Sequence, residues 1–206
     1  MHPRTYHEFE RICTERNVGG SVLELGAVPN PNSLLCMKSL KDATEKIGVN
    51  INGPQEYRDF MILKGNANHL EFDDNRFDLV LCNGMLEHDK YFWKSLEEMK
   101  RVTKPGGLVV IGTPGYVYFG IERMKSILGK IPLLRKLKTN QYMNMFFTAT
   151  ITYQIHNSPG DYYRFSMQTF RELFFDDMED VEICTIALPP RIVGVGRKKM
   201  NTINSA

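Results

Sequence analysis

The sequence predicts an α/β protein: a doubly wound, mostly parallel sheet of seven strands, with helices on both faces and an antiparallel strand closing one side. Three observations carry this. Short apolar runs alternate with segments of helical periodicity, glycine, proline or asparagine punctuates the runs, and the last two apolar runs flank Pro189-Pro190.

Tyr6, Phe9 and Cys13 recur at helical spacing, so the chain opens on an amphipathic helix that Asn17-Val18-Gly19-Gly20 ends. Val22-Leu23-Glu24-Leu25 is the first strand, short and mostly apolar as a buried parallel strand should be, and it stops at Gly26. Asn30 offers an N-cap with Pro31 at the first helical position, and the helix so opened turns Leu34, Leu35 and Leu40 inward. A second strand spans 47–51 before the Asn52-Gly53-Pro54 turn, and a third spans 61–63 before Gly65. Residues 77–82 form the fourth strand. A helix with Phe92, Leu96 and Met99 on one face follows, then Pro105-Gly106-Gly107, then the fifth strand at 108–111. Between the third and fourth strands the connection is too short for an ordinary crossover, so a loop with at most one helical turn is expected.

Residues 116–165 break the alternation and read as an insertion, or lid, over the carboxyl edge of the sheet. Ser166 then caps a helix marked by Met167, Phe170 and Phe174. Val181-Glu182-Ile183 and Ile192-Val193-Gly194-Val195 complete the count as closing antiparallel strands.

The whole, 1–206, reads as a single domain, since 206 residues of which 42% are hydrophobic bury a sizeable core without metal or disulfide. Twenty-six basic residues face 24 acidic ones, a balance that argues against DNA or an anionic membrane as the general partner. Cys13, Cys36, Cys82 and Cys184 show neither CxxC spacing nor paired histidines, so no metal site is expected. The N-terminus lacks an apolar signal core and no stretch approaches ~20 apolar residues, so a soluble, cytoplasmic protein is expected.

Four blocks carry a family resemblance: Val22-Leu23-Glu24-Leu25-Gly26; Phe72 to Val80; Met85-Leu86-Glu87-His88; and Arg101-Val102 with Lys104-Pro105-Gly106-Gly107. In this order they resemble the class I, Rossmann-like S-adenosylmethionine-dependent methyltransferases, in particular the group called methyltransferase type 11. The resemblance implies S-adenosylmethionine as cofactor, a small-molecule acceptor methylated on oxygen or nitrogen, and a donor site beyond the carboxyl ends of the strands.

Residue by residue, the resemblance implies donor contacts from Glu24, Gly26, Ala27, Asn50, Asn66, Ala67, Asn83 and Gly84. Glu24 ends the first strand, where a carboxylate can accept from the donor's ammonium, and Gly26 allows close backbone approach. Two departures stand out. Where the family continues with glycines, this chain has Ala27-Val28-Pro29-Asn30, and neither Val28 nor the residue before a proline suits the usual glycine turn. Where the family places an acid for the ribose hydroxyls, this chain has Asn50-Ile51-Asn52, and an amide accepts through one oxygen only. Asn50 is the first candidate and Asn52 the reserve, or either is a plain turn former; on the ribose reading Asn50→Asp tightens donor binding. Asn66, in Gly65-Asn66-Ala67, either meets the adenine amino group or forms an Asx turn.

His88 is the candidate catalytic residue, a proton acceptor where the strand-four loop should face the methyl group, or else a positioning histidine. His156, Asp161, Tyr162, Tyr163 and Arg164 are the candidate acceptor-binding residues. Arg164 clamps an anionic group, or it pairs with Asp161 and braces the loop. The basic run from Arg123 to Lys138, interleaved with leucine and isoleucine, reads first as a solvated helical face; a lid, a membrane contact or an RNA-facing patch are its alternatives.

A GxGxxG dehydrogenase loop and an Asn/Asp-Pro-Pro-aromatic block are both absent. The rival from another class is a non-catalytic protein of the same fold, its cofactor binding weakened at Val28, Asn50 and Asn66.

Overall fold

The computed structural model describes residues 1–117, 141, 151–152, 154–156 and 160–200. Helix α1 (Pro3–Glu15) keeps Thr5, Phe9, Ile12 and Cys13 on its buried side. Strands β1 (Ser21–Leu25), β2 (Glu45–Asn50), β3 (Gln55–Tyr57), β4 (Phe60–Lys64) and β5 (Phe77–Asn83) follow, then helix α2 (Phe92–Val102) and β6 (Thr103–Pro114). A two-stranded ribbon of β7 (Tyr116–Val117) and β8 (Ile151–Thr152) pairs the start of the insertion with a later stretch of it. A helical turn, α3 (Met167–Thr169), continues as a π-helical turn over Phe170–Phe174, and β9 (Met178–Ile186) and β10 (Arg191–Lys198) close the chain.

The main sheet runs β3-β4-β2-β1-β5-β6-β10-β9. Neighbours from β4 to β6 pair in parallel, whereas β10 lies antiparallel between β6 and β9. Because β1 pairs with β2 on one side and β5 on the other, the winding reverses there, and the crevice lies beyond the carboxyl ends of these strands. Side chains alternate between two cores. Leu23, Leu25, Val80 and Cys82 face α2 and Phe170–Phe174, while Val22, Leu79 and Leu81 face α1.

The mostly parallel sheet, its helix-covered faces and its antiparallel closure match the expected architecture, with three corrections. The sheet has eight strands rather than seven: β3 forms a hairpin with β4, and its Gln55-Glu56-Tyr57 carries no apolar alternation by which to read it. The helix expected from Asn30 is two 3₁₀ turns, Leu34–Cys36 and Lys38–Leu40, capped by Ser33; Asn30 instead closes an Asx turn by accepting from the Asn32 N–H at 2.8 Å. Pro105-Gly106-Gly107 is a bulge inside β6. Leu34, Leu35 and Leu40 are buried as expected, and Ser166 caps α3 in a capping box with Thr169.

No helix forms between β4 and β5. Instead Arg101 of α2 donates to the Phe72 and Leu70 carbonyls at 2.8 and 3.0 Å, and Glu98 accepts from the Leu70 N–H at 2.6 Å. An ion pair on α2 thus satisfies the backbone that a crossover helix would satisfy itself. The basic run 123–138 lies outside the described residues.

Candidate active site

A cavity of about 410 Å³ opens at the winding reversal. Gly26 follows β1 with φ +76°, and a Cβ there would come within 3.2 Å of Met85, so both conformation and close approach require glycine. The Gly26 and Ala27 N–H groups donate to the Val49 carbonyl at 2.9 and 3.3 Å, which seats the loop on β2. Ala27 is buried against Gly48, where a Cβ would approach to 2.5 Å, and it does not line the cavity.

Asn50 lies at the end of β2 and lines the cavity. Its amide NH₂ donates to the Ala27 carbonyl at 2.8 Å, and its oxygen accepts from the Asn52 N–H at 3.0 Å. The two departures from the family pattern are therefore in contact: an amide stands where a carboxylate is usual because the loop turns a carbonyl toward it. A carboxylate cannot donate that bond. Gly65, Asn66 and Ala67 form the next wall, and the Asn66 oxygen accepts from the Asn68 N–H at 3.0 Å as an Asx turn does.

Glu24, expected to receive the donor's ammonium, is turned away. Its carboxylate, 5% exposed, accepts from Ser33 Oγ at 2.5 Å and from the Leu34 and Leu35 N–H groups at 3.1 and 3.3 Å. It caps the 3₁₀ turns from β1, and burial raises its pKa against those three bonds. This tertiary cap is what replaces the cap expected from Asn30. Asn83 also stays out of the cavity, its oxygen beside Gly112.

Beyond β5, Gly84 with φ +68° and Met85 lead into a 3₁₀ turn, Leu86–His88. His88 lines the cavity; its Nδ1 meets the Gly160 carbonyl, and its ring lies edge-on to His156 with centroids 4.8 Å apart. The Glu87 carbonyl accepts from the Tyr162 and Tyr163 N–H groups at 2.8 and 3.3 Å, and Tyr163 Oη donates to the Lys90 carbonyl at 3.0 Å. These bonds dock the end of the insertion onto the turn that carries His88.

Of the five acceptor-binding candidates, only Tyr162, 57% exposed, lines the cavity. Arg164 donates to both oxygens of Asp161, to the Tyr163 carbonyl at 2.8 Å and to the Gln154 carbonyl at 3.4 Å. His156 brings its N–H and Nδ1 to the same Asp161 oxygen, each at 3.0 Å. The Arg164 guanidinium, aided by His156 and opposed by burial, holds the Asp161 carboxyl far below the ordinary carboxylate range. Arg164, Asp161 and His156 thus brace the loop, and Tyr163 packs on Phe165 and Phe92.

Val49, Ile51, Met85, Asp89 and Lys90 complete the lining and were not among the sequence candidates. Asp89 had a local signal, since it follows Leu86-Glu87-His88; it accepts from Asn68 Nδ2 and Ser95 Oγ, both at 2.6 Å, and so joins the Asn66 wall to α2.

A methyltransferase domain family matches residues 34–111. An uncharacterised protein of Methanocaldococcus jannaschii is 35% identical over 108 residues, half of this chain and 49% of its own length. Demethylmenaquinone methyltransferase of Geobacillus stearothermophilus is 36% identical over 84 residues, 39% of this chain and 36% of that enzyme. The chain thus spans half or less of the length of these curated relatives. Among solved structures, Burkholderia thailandensis 1,6-didemethyltoxoflavin-N1-methyltransferase, with S-adenosylhomocysteine bound, superposes with a TM-score of 0.63 at 15% identity over 95% of this chain and 78% of that one. The N-methyltransferase NodS of Bradyrhizobium japonicum, also with S-adenosylhomocysteine, gives 0.57 at 10% identity over 95% and 86%. Fold, motif order and family match agree: residues 34–111 match a methyltransferase domain, and the chain shares the Rossmann-like fold of solved S-adenosylmethionine-dependent methyltransferases.

Proposed function

We propose that this chain is a methyltransferase that binds S-adenosylmethionine in the cavity at the winding reversal and methylates a small molecule on oxygen or nitrogen. The observation that carries the reading is the cavity itself: about 410 Å³, walled by Gly26, Asn50, Asn66, Ala67 and Gly84. That volume lies within the range of small-ligand sites. Gly65 leaves room for Val49, which a Cβ there would approach to 2.9 Å, and so keeps that wall close-packed. When bound there, the cofactor supplies a sulfonium methyl group to a nucleophilic lone pair.

The chain's own residues divide the remaining work. Gly26, Asn50 and Asn66 hold the donor, Tyr162 walls the acceptor side, and His88 takes the proton that the acceptor releases. Alignment of the reacting atoms contributes more to such a transfer than any strong base. Among the described residues no helix is long and apolar enough to cross a membrane, and we place the activity in the cytoplasm.

A second reading, a non-catalytic protein of this fold, is favoured by one observation: the residue at the ribose position is an amide already bonded to Ala27. Calorimetric titration with S-adenosylmethionine and S-adenosylhomocysteine separates the two. The enzyme reading expects binding of both; no heat at millimolar ligand defeats it.

A further inference from the structure

The turn that carries His88 also holds a carboxylate for which the proposed reaction has so far no use. Glu87 is 1% exposed, and its Oε2 has no hydrogen-bond partner among the described residues. Its main chain docks the loop through a carbonyl that any residue would supply, so the docking does not account for the side chain. Burying a carboxylate oxygen without a hydrogen bond is costly. What stands beside it is His88: Glu87 Oε1 lies 3.9 Å from His88 Nε2.

The other face of the imidazole fixes what Nε2 can do. A carbonyl only accepts, so His88 Nδ1, which meets the Gly160 carbonyl, carries the N–H. In the neutral ring Nε2 is then the lone-pair nitrogen. At 3.9 Å it is too far from Glu87 for a hydrogen bond, so that lone pair stays available, yet a charge formed on it falls next to a carboxylate shielded from water.

We propose that Glu87 is a positioning residue for His88, stabilising the charge that the imidazole gains when it takes the proton released by the acceptor's heteroatom. The inference rests on the methyltransferase reading above. The proton moves from the acceptor to Nε2, the Nδ1 N–H stays on the Gly160 carbonyl, and the product leaves methylated and neutral at that atom. Burial raises the Glu87 carboxyl above its ordinary value, while a bond from its own backbone N–H and the charges of His88, Arg191 and Arg164 act in the opposite sense. The Glu87 charge also acts on the buried Cys82 thiol, and His156 faces the His88 ring. The acceptor class that profits from this arrangement is a hydroxyl or phenol, which must lose a proton as it is methylated.

The test needs no acceptor. Nuclear magnetic resonance of the His88 ring, in the full chain, reads tautomer and titration in the parent, Glu87→Gln and Glu87→Asp. We expect the Nδ1–H tautomer in the parent, and in Glu87→Gln a proton affinity lower by about tenfold, as loss of an opposite charge within ~4 Å implies. Glu87→Asp should lie between. The Nε2–H tautomer in the parent, or a titration unchanged in a folded variant, overturns the proposal; should Glu87→Gln fail to fold, an unchanged titration in Glu87→Asp decides the same way. Calorimetry with S-adenosylhomocysteine on the parent separates the layers: absence of binding defeats the methyltransferase reading and this role together, whereas an unchanged His88 titration defeats the role alone.

Discussion

The two halves of the cavity are built from different chemistry. The wall built by the ends of β1, β2 and β4, namely Gly26, residues 49–52 and residues 65–67, contains no ionisable side chain. The opposite wall, Gly84, Met85, His88, Asp89, Lys90 and Tyr162, is mostly ionisable and backed by Glu87 and the Asp161–Arg164 pair. On the uncharged wall, polar atoms are consumed in shaping the loops, as Asn50 and Asn66 show, and backbone and shape are what it offers a ligand. On the ionisable wall, charges interlock and leave His88 between them. A neutral wall tolerates the loss of a family carboxylate; a charged wall tolerates little.

The largest effect should therefore come from the charged side. Arg164→Ala leaves Asp161 without its main partner and should destabilise the fold by roughly 3 kcal/mol, seen as a lower melting temperature, with S-adenosylhomocysteine affinity nearly retained. A lost acceptor contact with full stability would contradict the bracing role. The pH dependence follows from the depressed Asp161 value. The pair's contribution is fully present above the unfolded carboxylate value of about 4 and is lost as pH falls through the lower folded value. The gap between parent and variant should accordingly narrow in strong acid, and a gap that widens there would break the assignment.

A middling effect is expected at Glu24. Glu24→Ala strands the Leu34 and Leu35 N–H groups and the Ser33 hydroxyl, at a cost of about 2 kcal/mol in chemical denaturation. If affinity for the donor collapses while stability holds, Glu24 belongs to the donor site after all.

The smallest effect sharpens the comparison most. Sequence alone favours Asn50→Asp as a gain in donor binding; the bond to Ala27 reverses the sign. A carboxylate there meets a carbonyl, and we expect S-adenosylhomocysteine affinity to fall by about 1 kcal/mol in calorimetry. A tighter variant would show that the loop can turn its carbonyl aside.

Much of the fold was legible because buried parallel strands are written as apolar runs, and β1, β5 and β6 are such runs. β3 was not, since its pairing comes from a two-residue turn at Arg58 and Asp59 rather than from its own side chains. In the site, backbone-defined positions such as Gly26, Asn66 and Gly84 were legible from motif order. What each charged side chain does was not. Glu24 is claimed by Ser33 and its neighbours, Asn50 by Ala27 and Arg164 by Asp161, and such choices depend on which loops meet in space. Arg164 shows this well, because both of its readings needed the same residue types and only contact separates them.

The insertion leaves and rejoins the sheet at a single point. β7 pairs with β8, the Tyr116 N–H donates to the Phe165 carbonyl at 3.2 Å, and Gly115 bridges to Phe165. A segment whose ends are stapled together in this way is topologically a cassette: its length and sequence can change without altering the register of any strand in the main sheet. On the proposed reading, exchanging what lies between the two staples for the corresponding stretch of another protein of this fold should change acceptor preference and leave donor binding intact.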